Sequence, residues 1–536
     1  MIESPRDRAL SAEDLHVPES FNAAAYFVDR NVEEGRGGKV AIECGALRVT
    51  YDEVRAEVNR VGNALRHALG VRTEERVLLL LLDTPEFAYC FFGAIKIGAL
   101  PVPANTLLKP PDYRHLLNDS RARVAVVSEA LLPQILAIPR SELPFLLEVV
   151  VVGEAPPGTR SFADLIRDQS TQLRAAPTGR DDAAFWLYSS GSTGLPKGCV
   201  HLHHDMVVCA ELYARGVLQI SEADRCFSVA KLFFAYGLGN GLYFPFAVGA
   251  TAILWPGPPT PQNVFATIEN HRPTLFFSVP TSYAMLLAHP SEAASDFDLG
   301  SVRLAISAGE ALPAPIYERF AQRFGVPILD GIGSTEVLHI FISDRPGAVR
   351  PGSSGQVVPG YEARLVDDEG REAEPGAIGS LLIKGDSTCS GYWNQHEKTK
   401  ETIVGHWIRT GDECAQDAEG YFWYAGRSDD MLKVGGIAVS PVEIESTLLA
   451  HPAVQEAGVV GCADQDGLIK PLAYVALRTG VLGTPDLAAE LTAFVRSRIA
   501  EYKRPRWVEF VSELPKTATG KTQRFKLRQR AMADRP

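Results

Sequence analysis

No two of the eight cysteines in this chain form a CxxC pair; they are scattered at Cys44, Cys90, Cys199, Cys209, Cys226, Cys389, Cys414 and Cys462. That removes the usual zinc-ribbon and dithiol-redox readings and leaves buried or incidental thiols in a reducing compartment as the expectation. There is no excess of basic residues either. Lys and Arg total 53 against 65 Asp and Glu, a net charge of −12, and a general nucleic-acid binder needs a basic face. The longest strongly apolar run, Val77 to Leu82, is far short of the ~20 residues that span a bilayer, so no membrane partner is expected. The first residues, MIESPRDRALSAEDLHVPES, are polar and acidic and lack an apolar signal core, which makes a cytoplasmic location the expectation. No internal repeat or low-complexity segment is present.

What is present is ordinary globular material: 46% hydrophobic and 22% charged residues over 536 positions. That length exceeds what one core supports, so two or more domains are expected. Thr50 with Glu53 forms a capping box ahead of Val54, Val58, Val61, Leu65 and Leu69 at helical spacing, and Gly70 suits the stop. Apolar strand-like runs then alternate with helix-like runs: RVLLLLL with PEFAYCFFGAIKIGA, TAILWP with PQNVFATIENHR, PTLFFSVP with TSYAMLLAH, and VRLAISAGE with PAPIYERFAQRFG. Such strands predict parallel sheet covered on both faces. After about residue 350, GYEARLVDDEG, GSLLIKG and GYFWYAG predict short antiparallel strands. A second break follows GRSDD at 426–430, and the tail from Met431 to Pro536 can supply a small α/β unit of its own. Its helices would be SPVEIESTLLA and TPDLAAELTAFVRSRIAEY, its strands AGVVGCA, LAYVALR and WVEFV.

The stretch Tyr188 to Val200, YSSGSTGLPKGCV, follows the apolar run AAFWL directly. Its glycines let backbone approach an anion, its hydroxyls and amides donate to oxygens, and Lys197 adds charge. A phosphate is the natural cargo; a mobile surface loop is the competing reading. It is not a Walker A loop, because Gly198 follows Lys197, and not a hydrolase elbow, because Ser190 stands where G-x-S-x-G needs its first glycine. TGKT at 519–522 fails the Walker pattern too, with Pro515 in the required glycine position. GLGNG at 237–241 is a poor dinucleotide fingerprint. HLHH at 201–204 has no second ligand cluster nearby, which favours a structural or helix-start role over metal binding.

Taken in order, YSSGSTGLPKG, AGEALP, DGIGSTE, TGD, GRSDDMLK and PKTATGK resemble the adenylate-forming superfamily of acyl-CoA synthetases, adenylation domains and luciferases over almost the whole chain. The resemblance implies an α/β fold: a large N-terminal domain (1–428) with parallel sheets and a small barrel-like subdomain, and a small mobile α/β C-terminal domain (429–536) hinged at Asp429. It implies two half-reactions, in which a carboxylate attacks the α-phosphate of ATP and the thiol of coenzyme A then displaces AMP. By residue, Ser189, Ser190, Gly191, Ser192, Thr193 and Lys197 would hold the leaving pyrophosphate. Glu336 would help hold Mg²⁺ and Thr335 would donate to the α-phosphate. Ala308, Gly309 and Glu310 with Asp330, Gly331 and Ile332 would line the adenine slot, and many relatives carry an aromatic where Ile332 stands. Asp412 and Arg427 would bind the ribose, Lys433 would lie near the nucleotide, and Lys521 would be the catalytic lysine. After rotation, Gly435, Gly436 and Ala438 would meet coenzyme A.

For the acid, Ala235 stands where amino-acid activators carry an aspartate. The run KLFFAYGLGNGLYFPFAVGA, with DGIGSTEVLHIFIS, resembles the benzoate-CoA ligases and their hydroxybenzoate relatives. The implied pocket is Ala235, Tyr236, Gly237, Phe277, Gly331, His339 and Ile340, with Phe277 standing where close relatives tend to have a tyrosine. The implied activity is benzoate-CoA ligation, with a hydroxy- or aminobenzoate-CoA ligase, or a free-standing enzyme loading a carrier protein, as alternatives, acting as a monomer or homodimer.

Overall fold

The computed structural model describes residues 9–189, 196–289, 297–367, 369–434, 437–464, 468–516 and 522–534. The expected alternation of apolar strands and helices resolves into two sheets. One has five strands in the order Leu100–Pro103, Arg76–Leu80, Val124–Ser128, Glu148–Val152, Arg160–Ser161, every pairing parallel. The other has nine strands, with Thr251–Leu254, Arg225–Ser228, Leu275–Ser278, Leu304–Ala308 and Ile328–Gly333 parallel at its centre. Antiparallel strands finish both of its ends. One of these ends, the hairpin Val40–Cys44 and Leu47–Thr50, is too short for its alternation to stand out in the sequence.

The strands are buried because helices cover them. In Arg76–Leu80, Leu78 and Leu80 face one core while Val77 and Leu79 face another, so alternation on a doubly covered sheet leaves no polar face. The helix Tyr51–Asn63 begins at Thr50 with both halves of the capping box made, and it buries Val54, Val58 and Val61. HLHH lies on the strand Lys197–Leu202 and the turn after it: His204 is the N-cap residue of Asp205–Cys209, and His201 is fully buried against Asp205.

Beyond residue 350 a five-stranded antiparallel sheet carries Glu362–Val366, Gly379–Lys384, Ile403–Val404, Trp407–Gln416 and Phe422–Arg427; this is the expected barrel-like part, and its ladder is open among the described residues. The C-terminal part has its own sheet, Val454–Ala463, Ile469–Leu477 and Trp507–Val511, and its own cores around Ile444, Leu448 and Leu491 and around Leu472, Tyr474 and Leu527. A helix missed in the sequence, Arg524–Asp534, packs on that sheet. All cysteines except Cys44 are buried, and none is paired. No helix of the described residues is long and apolar enough to cross a membrane.

Candidate active site

The phosphate-loop candidate is built as a hairpin. The strand Ala183–Ser189 runs antiparallel to Lys197–Leu202, with Ser189 opposite Lys197, so the serine and the lysine stand together at the loop end of the hairpin. Ser190, Gly191, Ser192 and Thr193 lie outside the described residues. Beside the hairpin, Glu336 Oε1 accepts from the Tyr392 hydroxyl at 2.8 Å and from Ser189 Oγ at 3.3 Å. Lys197 Nζ is 3.3 Å from the same Tyr392 oxygen and 4.3 Å from its ring centre. Burial, with the Glu336 carboxylate next, pushes the Tyr392 phenol far up, so it stays a proton donor to that carboxylate. Tyr392 escaped the sequence reading because an uncharged tyrosine in a Gly-Tyr-Trp run carries no signal of its own.

Glu336 follows the central strand Ile328–Gly333 in a turn where Leu338 adopts φ 70°. A leucine in the left-handed region is uncommon. After the turn His339 is buried, and the preceding Gly333 and Ser334 border both of two adjoining cavities.

The first cavity, about 320 Å³, is lined by Gly309, Glu310, Gly331 and Ile332, by Asp412, Tyr424 and Arg427, and from the C-terminal part by Glu445, Glu456, Lys516, Thr522 and Arg524. Arg427 Nη1 donates to Asp412 Oδ1 and to the Thr410 carbonyl, each at 3.0 Å. Gly411 makes this possible: its φ is 75°, and a β-carbon there would stand 2.8 Å from Arg427 Nη2. Asp330 lies beneath this cavity rather than in its wall. Its Oδ2 accepts from the Leu312 amide and from Ser354 Oγ, both at 3.3 Å, and its own amide donates to Asp344 Oδ2 at 3.3 Å. Ala308 is buried at the end of its strand and lines the second cavity.

Burial and then the facing Asp344 drive the Asp330 carboxyl well above its usual range, and burial lifts Asp344 to about 7. A carboxyl whose folded pKa exceeds its unfolded value of 3.8 binds its proton more tightly in the fold. Its ionisation therefore weakens the fold progressively between about pH 4 and 7 and by a constant amount above. Asp344→Asn removes that dependence. The difference in melting temperature, variant minus parent, is expected to be more positive at pH 8 than at pH 5, whatever constant offset the amide adds; a difference flat in pH would refute the shifted pair.

The second cavity, about 690 Å³, is walled by Ala235, Tyr236, His339 and Ile340, and shares Gly309, Gly333, Ser334 and Lys516 with the first. Its aromatic wall is locked. The Tyr236 hydroxyl faces the carbonyls of Ile306 (3.2 Å) and Ser278 (3.3 Å). His339 Nε2 lies 3.1 Å from Asn240 Oδ1 and 3.3 Å from the Tyr236 carbonyl, which assigns the proton to Nε2. Burial drives the His339 imidazole down to about 3, so it is neutral and offers a ring rather than a charge. Asp83 and Lys231 also reach this cavity, 3.7 Å apart, with Lys231 held by the Trp255 and Gly257 carbonyls at 2.6 and 2.9 Å.

Three expected pocket residues are placed elsewhere. Phe277 sits mid-sheet, fully buried, with the Tyr236 ring edge-on 6.4 Å away; it backs the wall and does not form it. Gly237 is covered as well: a β-carbon there would lie 2.1 Å from the Lys231 carbonyl and 2.5 Å from that of Ala230, so this glycine allows the helix to press on that loop. Gly331 borders the first cavity, not the second. Lys521, Gly435 and Gly436 lie outside the described residues, and only the backbone of Lys433 and Ala438 is described, paired across a two-stranded ladder. Asp429 stands exposed in the turn after Phe422–Arg427. Tyr424 and Asp344 join the site's surroundings without a sequence signal that singles them out, and Lys516 and Thr522 join them from the PKTATGK and TGKT stretches, where the resemblance gives neither a role.

Known proteins resemble this chain over nearly its full length. The model described as AMP-binding enzyme matches residues 28–393, and the one described as AMP-binding enzyme C-terminal domain matches 443–521. The benzoate–CoA ligase of Thauera aromatica is 52% identical over 98% of this chain and 99% of its own length. The solved anthranilate CoA ligase AuaEII, in complex with anthranoyl-AMP, superposes with a TM-score of 0.94 at 49% identity, covering 98% of this chain and 99% of that one. A benzoate CoA ligase from Burkholderia xenovorans LB400 gives 0.87 at 48% identity, covering 95% and 100%. With residues of AGEALP, DGIGSTE and TGD lining two adjoining cavities and the family models matching 28–393 and 443–521, the chain belongs to the AMP-binding enzyme family of adenylate-forming ligases.

Proposed function

We propose that this protein converts benzoate, or a close aryl carboxylate, to its coenzyme A thioester through an aryl-adenylate, releasing pyrophosphate and AMP. The observation that carries the substrate is the second cavity: a mainly apolar space lined by Ala235, Tyr236, a neutral His339 and Ile340, meeting the first at Gly333 and Ser334. An aryl ring fits such walls, and its carboxylate would point to the junction. The nucleotide would occupy the first cavity, its ribose hydroxyls on Asp412 and its adenine along Gly309, Glu310, Gly331 and Ile332. The Ser189–Lys197 hairpin end would face the β- and γ-phosphates.

The metal proposal fits the donor set. No cluster of three or more metal-ligating side chains exists among the described residues, and one carboxylate, Glu336, stands at the hairpin end. Mg²⁺ is commonly held by one or two carboxylates together with substrate phosphates. When bound, it would supply positive charge against the triphosphate. Tyr392 fixes the Glu336 carboxylate, Thr335 would donate to the α-phosphate, and Lys521 would bridge two anions that otherwise repel. Coenzyme A thiolation needs access rather than a strong base, since part of a thiol of pKa ~8.5 is already ionised near neutrality. We assign that access to rotation of residues 429–536 about Asp429, which would bring Lys433, Gly435, Gly436 and Ala438 to the pantetheine arm.

The test is a panel of aryl and short aliphatic acids, scored by AMP release with coenzyme A present. Benzoate and small ring-substituted benzoates are expected to lead the aliphatic acids in kcat/KM by about 10²-fold or more, because burial of a ring yields several kcal/mol over a methyl group. Equal turnover of acetate would overturn the reading. Acyl transfer only onto a phosphopantetheinylated protein would favour a carrier-loading enzyme instead.

A further inference from the structure

Glu310 follows the central strand Leu304–Ala308, so it belongs to the large N-terminal sheet. Its Oε1 accepts a hydrogen bond of 3.0 Å from the backbone N–H of Thr522, 212 positions further on. Thr522 is part of a braced segment: it bridges Lys516 as an isolated antiparallel pair, and Lys516 Nζ lies 2.5 Å from Glu456 Oε1. Two positions on, Arg524 is tied to Glu445 at 2.7 Å and to Asp430 at 3.6 Å. These braces all lie within the C-terminal part. The Glu310 bond crosses the seam, and its donor is the residue next to Lys521.

We propose that Glu310 is a latch: it registers the C-terminal part against the nucleotide cavity for adenylate formation and must release before thiolation. This rests on the function proposed above and adds to it a positioning residue that acts through its neighbour. The acceptor is a carboxylate on one body and the donor a backbone amide on the other, so any rotation about Asp429 breaks the bond. A hydrogen bond to a charged acceptor shifts such an equilibrium by about tenfold or more. The latch therefore favours the first half-reaction at the expense of the second.

The experiment uses the full chain with Glu310→Ala and Glu310→Gln. Benzoate-dependent ATP–pyrophosphate exchange and thiolation of supplied benzoyl-AMP are each measured to saturation. For Glu310→Ala the ratio of the exchange kcat to the thiolation kcat is expected to fall about tenfold, set by the same bond. Glu310→Gln, which keeps an acceptor oxygen, is expected to restore most of that ratio. In parallel, hydrogen exchange at the Thr522 amide is expected to quicken in Glu310→Ala. An unchanged ratio, a raised KM for ATP at unchanged kcat, or unaltered exchange at Thr522 would each overturn the latch. Absence of aryl-dependent exchange in the parent would instead overturn the proposed function, leaving the Thr522 measurement to decide the latch alone.

Discussion

Lys521→Ala is expected to lower aryl-dependent ATP–pyrophosphate exchange by about 10²–10³-fold, the cost of removing one preorganised charge partner from a developing anion, while thiolation of supplied benzoyl-AMP keeps most of its rate. The reason is electrostatic. Adenylate formation brings an aryl carboxylate against an α-phosphate, two anions whose repulsion grows as the water around them is displaced. The junction of the two cavities is where they would meet, and Lys516 lies there from the C-terminal side. Lys516 is held by Glu456, so its charge is largely balanced, and the proposed function assigns the second cation to Lys521. Thiolation has no such pair of anions, and in the proposed alternation Lys521 has left. Equal loss in both half-reactions would defeat the alternation; loss in neither would remove Lys521 from the chemistry.

The parallel sheets were legible in the sequence because buried strands and the helices between them differ in period and length. The Thr50 cap, the late antiparallel strands and the C-terminal unit were legible for the same local reasons. Of the proposed site, Lys197 carries a signal of its own as the single cation of a hydroxyl-rich loop, whereas Glu336, Asp412 and Arg427 enter only through the family resemblance. Tyr392 and Asp344 were not legible, since their importance arises from what they touch: Glu336 in one case, Asp330 in the other. Phe277 shows the opposite failure. An aromatic beside the site in a family pattern was read as a wall residue, but its strand turns it behind Tyr236, a layer that one-dimensional spacing does not record. Gly237 was read as lining for a similar reason, although its task is the close approach of helix and loop.

Glu336→Gln is expected to lower the adenylation kcat by about 10²-fold with the fold intact. The amide is isosteric, and its oxygen can still accept from Tyr392 and Ser189, which both bond Oε1 in the parent. What is lost is the negative charge at the hairpin end. If that charge holds Mg²⁺, the variant should need a higher Mg²⁺ concentration to reach half its own maximal exchange rate, while its melting temperature stays near the parent's. If Glu336 instead only anchors Tyr392, the magnesium dependence should be unchanged, and Tyr392→Phe should reproduce the full loss. The two substitutions separate the roles because Tyr392 also stands 3.3 Å from Lys197. Removing its hydroxyl releases the lysine and the carboxylate together but deletes neither charge. An intermediate loss for Tyr392→Phe, with an unshifted magnesium requirement, would therefore place it as the support that keeps both groups facing the phosphates.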